Sequence, residues 1–240
     1  MKIFVYHTPA LVPAVGNPDC AIAIDVLRAT TSIATALASG AEAIEVFADL
    51  EALEQASAQY PAELTLKAAE RGGSKVSGYD LGNSPFEYSE EVVKGKRIFM
   101  TTTNGTRALQ RVKDVPHVVA GALVNLQSVV NFLHDLDPAV VWIVCAGWEG
   151  NFALEDTVCA GAILAHLQKL RNLAFGNDEA IAALALYQQS HNQLEELLRY
   201  ASHGQRLARL GATADLTYCA GLNSLYVLPK QSAPGVLTAG

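Results

Sequence analysis

Three times along this chain an apolar run of strand length passes through a polar turn into a helical pattern, and that recurrence limits the possible folds more than any other feature. Cys20 to Ile24 (CAIAI) leads into Asp25-Val26-Leu27-Arg28-Ala29-Thr30-Thr31-Ser32 and then the helical spacing of Ile33, Ala34 and Leu37. Ile98, Phe99 and Met100 lead into Thr101-Thr102-Thr103-Asn104-Gly105-Thr106, with Gly105 onward spaced as a helix start. Val140 to Cys145 (VVWIVC) leads into Ala146-Gly147-Trp148-Glu149-Gly150-Asn151 and a helix beginning near Glu155 and Asp156. Strands alternating with helices imply parallel βαβ units, and near-continuous apolar strands imply that both sheet faces are covered. The expected fold is α/β: a three-layer α/β/α sandwich with a mostly parallel sheet. Ligands of open parallel sheets bind beyond the carboxyl ends of the strands, so the three polar turns point to one composite site.

Further strands are expected at Lys2 to Tyr6, Ala43 to Phe47, Leu64 to Lys67, Val118 to Gly121 and Ser224 to Leu228. Three- and four-residue apolar spacing predicts helices over Leu50 to Ala58, Leu126 to Leu136, Leu154 to Leu170 and Glu179 to Tyr200, the last broken near Ser190. No linker divides the 240 residues, so one domain is expected, with a helical cap or edge layer over Asn177 to Gly211. Half of the residues are hydrophobic and 17% are charged, the balance of a compact globule rather than a disordered chain. The segment from Glu70 to Pro85 lacks periodicity, is rich in glycine and carries Glu70, Arg71, Asp80, Asn83 and Ser84; loops of that length in compact domains are usually functional, and this one reads as a substrate-covering loop.

A net charge of -7 and the lack of any Lys/Arg block argue against a nucleic-acid partner. Cys20, Cys145, Cys159 and Cys219 lie scattered in apolar surroundings without a CxxC pair, which points to buried thiols in a reducing compartment and not to a zinc site or a disulfide framework. The apolar start MKIFVYHTP is too short for a signal sequence, and no run approaches the ~18 apolar residues of a membrane span. A soluble cytoplasmic protein is the expectation.

The threonine-rich turn has the chemistry of an anion site. Thr101, Thr102, Thr103, Asn104 and Thr106 bring hydroxyl and amide donors to the place where the first free N–H groups of a helix point, and the helix dipole favours negative charge there. A lone Thr in such a position is more often a helix cap; this density of them favours a site. Asp25 ends an apolar strand, where a carboxylate must be solvated or paired. Several known frameworks are absent. No GxxxxGK[ST] or GxGxxG occurs, Asn151 stands where a tyrosine-phosphatase-like Cys145 would need an Arg, and Leu27 replaces the second Asp that haloacid-dehalogenase phosphatases use.

The blocks IDVLRATTSIATALASGA, ERGG, GYDLGNSP, GKRIFMTTTNGTRAL, VCAG and FALEDTVCAG and the Asn177-Asp178 pair, in this order over nearly the whole chain, resemble the 2-phosphosulfolactate phosphatase (ComB) family of coenzyme M biosynthesis. The resemblance implies magnesium-dependent hydrolysis of a small acidic phosphate ester, 2-phosphosulfolactate or another phosphorylated hydroxy acid, by a homodimer. On that basis Asp25, Glu155 and Asp156 are the carboxylates expected to hold Mg²⁺, and Asp25, Arg28 and Cys145 are the candidates for catalysis. Thr30, Thr31, Arg71, Asn83, Ser84, Thr102, Thr103, Asn104, Gly105 and Thr106 are expected to hold the phosphate and the substrate's acid groups.

Each assignment has a structural alternative. Glu155 and Asp156 suit the first turn of a helix as dipole-complementing acids, Arg28 suits a structural pair with Asp25, and Cys145 suits an inert buried thiol. His203, Asp178 and Arg107 read as exposed helix positions. Whether water, Asp25 or Cys145 attacks phosphorus is open at this level, and the same loops would also serve a non-catalytic anion- or metabolite-binding module.

Overall fold

The computed structural model describes residues 1–240, built around an 11-stranded sheet. The strands are β1 (Lys2–Tyr6), β2 (Cys20–Ile24), β3 (Ala43–Val46), β4 (Thr65–Arg71), β5 (Ser74–Lys75), β6 (Arg97–Thr101), β7 (His117–Gly121), β8 (Val140–Cys145), β9 (Ala174–Phe175), β10 (Pro229–Ala233) and β11 (Val236–Ala239). The helices are α1 (Ala29–Ala38), α2 (Leu50–Ser57), α3 (Glu90–Val93), α4 (Gly105–Val112), α5 (Leu126–Leu136), α6 (Leu154–Leu167), α7 (Asp178–Ser190), α8 (Leu194–Tyr200), α9 (Ser202–Arg209) and α10 (Thr213–Cys219).

The strand order is β5-β4-β6-β3-β11-β10-β7-β2-β8-β1-β9. One parallel block is β4, β6 and β3; the other is β7, β2, β8, β1 and β9. The β10–β11 hairpin joins them by antiparallel pairing to β7 on one side and β3 on the other. The sheet is therefore mixed and mostly parallel.

The layering follows from the two-residue period of strands. In β2, Cys20, Ile22 and Ile24 face one core while Ala21 and Ala23 face the other; in β8, Val141, Ile143 and Cys145 alternate in the same way with Trp142 and Val144. Helices α5, α6 and α7 cover the first face, and α1 and α4 the second, with Ile33, Leu37, Leu109 and Val112 turned inward. Because both faces are buried, all five residues of β2 are solvent-inaccessible, which is why the strand reads as an unbroken apolar run. The three-layer α/β/α sandwich matches expectation.

Three regions differ from the expectation. Ser224 to Leu228 is not a strand: Asn223 and Leu225 donate backbone N–H groups to Leu123 O and Val124 O, outside the sheet. The closing strands are instead β10 and β11, whose polar Lys230-Gln231-Ser232 lacks alternation, although Pro234-Gly235 between them is an ordinary turn signal. The expected loop 70–85 is also more ordered than its composition implies. β4 runs on to Arg71, β5 folds back on it, and Asp80 and Leu81 return to donate to Lys67 O. The helical region starting at Asn177 continues past Gly211 to Cys219.

Helix α6 packs against α7 through Gly161, where a Cβ would collide with the backbone carbonyl of Ala183. Gly161→Ala is expected to lower unfolding stability by about 1–3 kcal/mol, the usual range for overpacking. Urea titration measures this, and a neutral result would show that α6 and α7 do not approach so closely.

Candidate active site

Strands β2 and β8 are adjacent and in register, Ile24 opposite Cys145, so their carboxyl ends stop together; Ala146 N–H donates to Ile24 O at 2.7 Å. Asp156, in the first turn of α6, ties the two tips: Oδ1 accepts from Val26 N–H at 2.9 Å and Oδ2 from Gly147 N–H at 3.1 Å. The 25–31 turn is braced from within. Thr30 Oγ1 donates to Asp25 O and accepts from Asp25 N–H, and Thr31 Oγ1 donates to Val26 O. These hydroxyls satisfy backbone groups that lie too deep for water.

The third tip, after β6, belongs to the other parallel block, yet it meets Asp25. Thr102 and Thr106 close on each other, Thr106 N–H donating to Thr102 Oγ1 and Thr102 N–H to Thr106 Oγ1, which caps α4. Glu70, at the end of β4, accepts from Thr103 N–H at 3.0 Å and from Gly73 N–H at 2.5 Å, holding the threonine turn against the β4–β5 hairpin. Gly105 then sits so close to the β2 tip that a Cβ there would lie 2.5 Å from Asp25 Oδ2 and collide with the Ala29 methyl. The absent side chain permits the convergence.

Between the tips lies a small, polar cleft with room for about 40 Å³. Asp25, Arg28, Asn83, Thr103 and Asn104 line it, together with Glu70 and the Gly72-Gly73 turn; Leu27 and Trp148 are its hydrophobic members. The remaining wall is Glu149 and, from α9, His203 and Arg206. Arg28 is held rigidly: Nη1 pairs with Asp215 Oδ2 of α10 at 2.5 Å and Nη2 donates to Gly73 O at 2.7 Å, with Ser84 Oγ donating to the other Asp215 oxygen. Asn83 is 5% exposed and its Oδ1 has no hydrogen-bond partner, an unsatisfied buried acceptor on the cleft wall. Trp148 and His203 stack with ring centroids 5.7 Å apart and separate the cleft from an apolar recess formed by Phe152, Ala153, Leu154 and Tyr200, with Glu155 at its edge. His203 Nδ1 lies 3.5 Å from Glu155 Oε1.

The electrostatics single out Asp25. Burial pushes its carboxyl up to about 6, Glu70 and Glu155 push in the same direction, and His203 and the Ala29 N–H oppose them. Burial also raises Asp156, with Glu155 and Asp25 adding to it, despite its two N–H partners. Carboxylates crowded out of water in this way favour a bound cation, and their hard oxygens suit Mg²⁺ in kind. No three His, Cys, Asp or Glu side chains are gathered closely enough to form a ready-made metal cluster.

The structure therefore sorts the expected residues. It brings Asp25, Arg28, Asn83, Thr103 and Asn104 to one cleft. Thr30, Thr31, Thr102 and Thr106 are committed to backbone groups behind it, Ser84 to Asp215, and Gly105 to close packing. Arg71 turns aside to Glu70 O and Thr101 Oγ1. Both oxygens of Asp156 accept backbone N–H groups, so it clamps the tips where an open metal ligand was expected. Cys145 is fully buried and does not line the cleft, and its thiol is pushed well up, by burial first and then by Asp156, the surroundings of an inert buried thiol. Arg28 pairs with Asp215, not Asp25. His203, read as an exposed helix position, is largely enclosed in the site, while Asp178 is exposed as expected. Glu70, Trp148, Arg206 and Asp215 are not among the expected site residues: Glu70 lies in the long loop and Trp148 in the third polar turn, whereas Arg206 and Asp215 converge on the site only through the tertiary fold.

Residues 6–234 match the 2-phosphosulpholactate phosphatase family. The chain belongs to that family. It is 56% identical to a probable 2-phosphosulfolactate phosphatase of Nostoc punctiforme, over 99% of this chain and 98% of the relative. Proteins with the same name from Synechocystis sp. and Thermosynechococcus vestitus are each 55% identical, covering 100% of both chains and 99% of both chains respectively. The family blocks noted in the sequence thus surround the cleft: IDVLR at the β2 tip, ERGG and GYDLGNSP on its β4 side, and TTTNGT at the start of α4.

Two outcomes are expected from this geometry. Gly105→Ala should displace the Asp25 carboxylate and lower turnover about 100-fold, and because its Cβ also meets the Ala29 methyl it should cost about 1–3 kcal/mol of stability; an unchanged rate would show that the close approach is unimportant. Native Asp25 keeps its proton up to about pH 6, whereas in the unfolded chain it releases it near 3.8, so the native state binds more protons in that window and stability falls as pH rises through it. Asp25→Asn should therefore raise the melting temperature of the metal-free protein at pH 8 by several degrees and lose that advantage below about pH 4. Thermal denaturation across pH checks it, and a destabilised variant at pH 8 would contradict it.

Proposed function

We propose that this protein hydrolyses 2-phosphosulfolactate to sulfolactate and inorganic phosphate with the help of Mg²⁺. The observation that carries the reading is the buried Asp25 carboxylate facing a polar cleft beside a fixed guanidinium, in a chain whose full-length relatives are named for this activity. The reaction consumes one water, breaks the ester P–O bond and frees the hydroxyl of the acid. Little covalent work is asked of the protein; positioning and charge neutralisation supply the rate.

Arg28, pinned by Asp215 and Gly73 O, holds the phosphate in a fixed orientation. Thr103 and Asn104 border the same space at the start of α4, where the helix favours an anion. Asp25, with water completing the shell, would hold the metal from the cleft; Glu155, across the Trp148–His203 stack, would add negative charge nearby, while Asp156 keeps the tips in place. When bound, Mg²⁺ would neutralise the phosphoryl oxygens and offset the repulsion among the carboxylates. The same reading includes the homodimer and the cytoplasmic location implied by the resemblance. No helix is long and apolar enough to cross a membrane.

Phosphate release from 2-phosphosulfolactate should require Mg²⁺, stop with EDTA and return with excess Mg²⁺. Asp25→Asn should reduce the rate by about 1,000-fold or more, the scale of losing a key electrostatic group. Hydrolysis that resists EDTA would remove the metal from the account, and a wild-type rate in Asp25→Asn would remove Asp25.

A further inference from the structure

The cleft's charges are unequal in one respect that bears on substrate choice. Asp25, Glu70 and Glu149 bring negative charge to its wall, and Arg28 and Arg206 bring positive charge. Arg28 is already matched by Asp215 in a buried pair, with side-chain exposures of 6% and 4%. Arg206 touches no carboxylate: its Nη2 donates to the backbone carbonyl of Gly72 at 3.0 Å, an uncharged anchor that fixes the arm and leaves the charge unspent. It projects from α9 one turn after His203, so both face the cleft. The residue is half-buried at the rim, whereas Arg28 and Asp25 lie at the floor.

We infer that Arg206 reads the acid group of the substrate most distant from phosphorus, the terminal sulfonate, and so sets specificity. This rests on the reading of the protein as a 2-phosphosulfolactate phosphatase. In such an ester the carboxylate shares a carbon with the phosphate oxygen, which keeps it near the floor with Arg28. The sulfonate stands one carbon further out, toward the rim. A guanidinium presents paired N–H donors that match two oxygens of a sulfonate, a geometry a lysine cannot reproduce. Since the rim is partly open to solvent, the pair is screened, and a contribution of about tenfold to 100-fold is expected for one charge-assisted contact.

The test compares two esters that differ only at that end: 2-phosphosulfolactate and 2-phospholactate, in which a methyl group replaces the sulfonatomethyl group. For Arg206→Gln, kcat/KM on 2-phosphosulfolactate should fall about tenfold to 100-fold, chiefly through KM, and much less on 2-phospholactate, so that the preference for the sulfonate drops at least about tenfold. Arg206→Lys should retain part of the preference. Melting temperatures close to wild type would show that the Gly72 anchor is not the cause. Equal losses on both esters would overturn the inference, since Arg206 would then act on the phosphate or the loop, and so would an unchanged ratio. If the wild-type protein releases phosphate from neither ester, the proposed function itself fails and the specificity role falls with it; activity on both with no change in preference rejects Arg206 alone.

Discussion

The structure turns on carboxylates that are buried where strands end. Asp156 and Asp25 lie at the meeting point of β2 and β8, and the fold treats them in opposite ways. Asp156 receives two backbone N–H groups and in return locks the tips together. Asp25 is left facing a cleft with acidic neighbours, its carboxyl raised by burial. A fold gains nothing in stability from that second arrangement. It persists because the surrounding backbone is over-determined by Thr30, Thr31, Asp156 and the close contact at Gly105, and the unsatisfied charge is available to a cation or a ligand.

The upper wall of the site comes from the far end of the chain. Asp215 of α10 fixes Arg28, and His203 and Arg206 of α9 complete the cleft. A buried arginine–aspartate pair adds little net stability, because desolvating both ions offsets most of their attraction. Its effect is geometric. It sets the plane of the guanidinium and joins the C-terminal helices to the 25–31 turn, so the cleft is complete only with that layer docked. The helical region is therefore part of the cleft wall and not merely an edge cover.

Legibility in the sequence followed locality. The three strand-turn-helix units were readable because each is written in a continuous stretch, with strand apolarity, turn chemistry and helix spacing in agreement. The five expected residues that reach the cleft, Asp25, Arg28, Asn83, Thr103 and Asn104, all stand in such turns or in the long loop. What sequence could not separate is a side chain that lines a site from one that braces it. Thr30, Thr102 and Thr106 share the composition of an anion site but spend their hydroxyls on backbone groups. Asp215, Arg206 and His203 went unread for the opposite reason: on amphipathic helices far along the chain, a charged residue turned inward looks like one turned to solvent. The β10–β11 hairpin escaped because β10 is polar and β11 spans only four residues, and both are held by pairing between two existing blocks.

The most direct test of the central claim is crystallographic. Crystals of the protein grown with Mn²⁺ in place of Mg²⁺ and with inorganic phosphate should show a single strong anomalous peak within coordination distance of an Asp25 oxygen, with the phosphate between it and Arg28. A peak elsewhere, or phosphate bound in the cleft with Asp25 left untouched by any cation, would contradict the account.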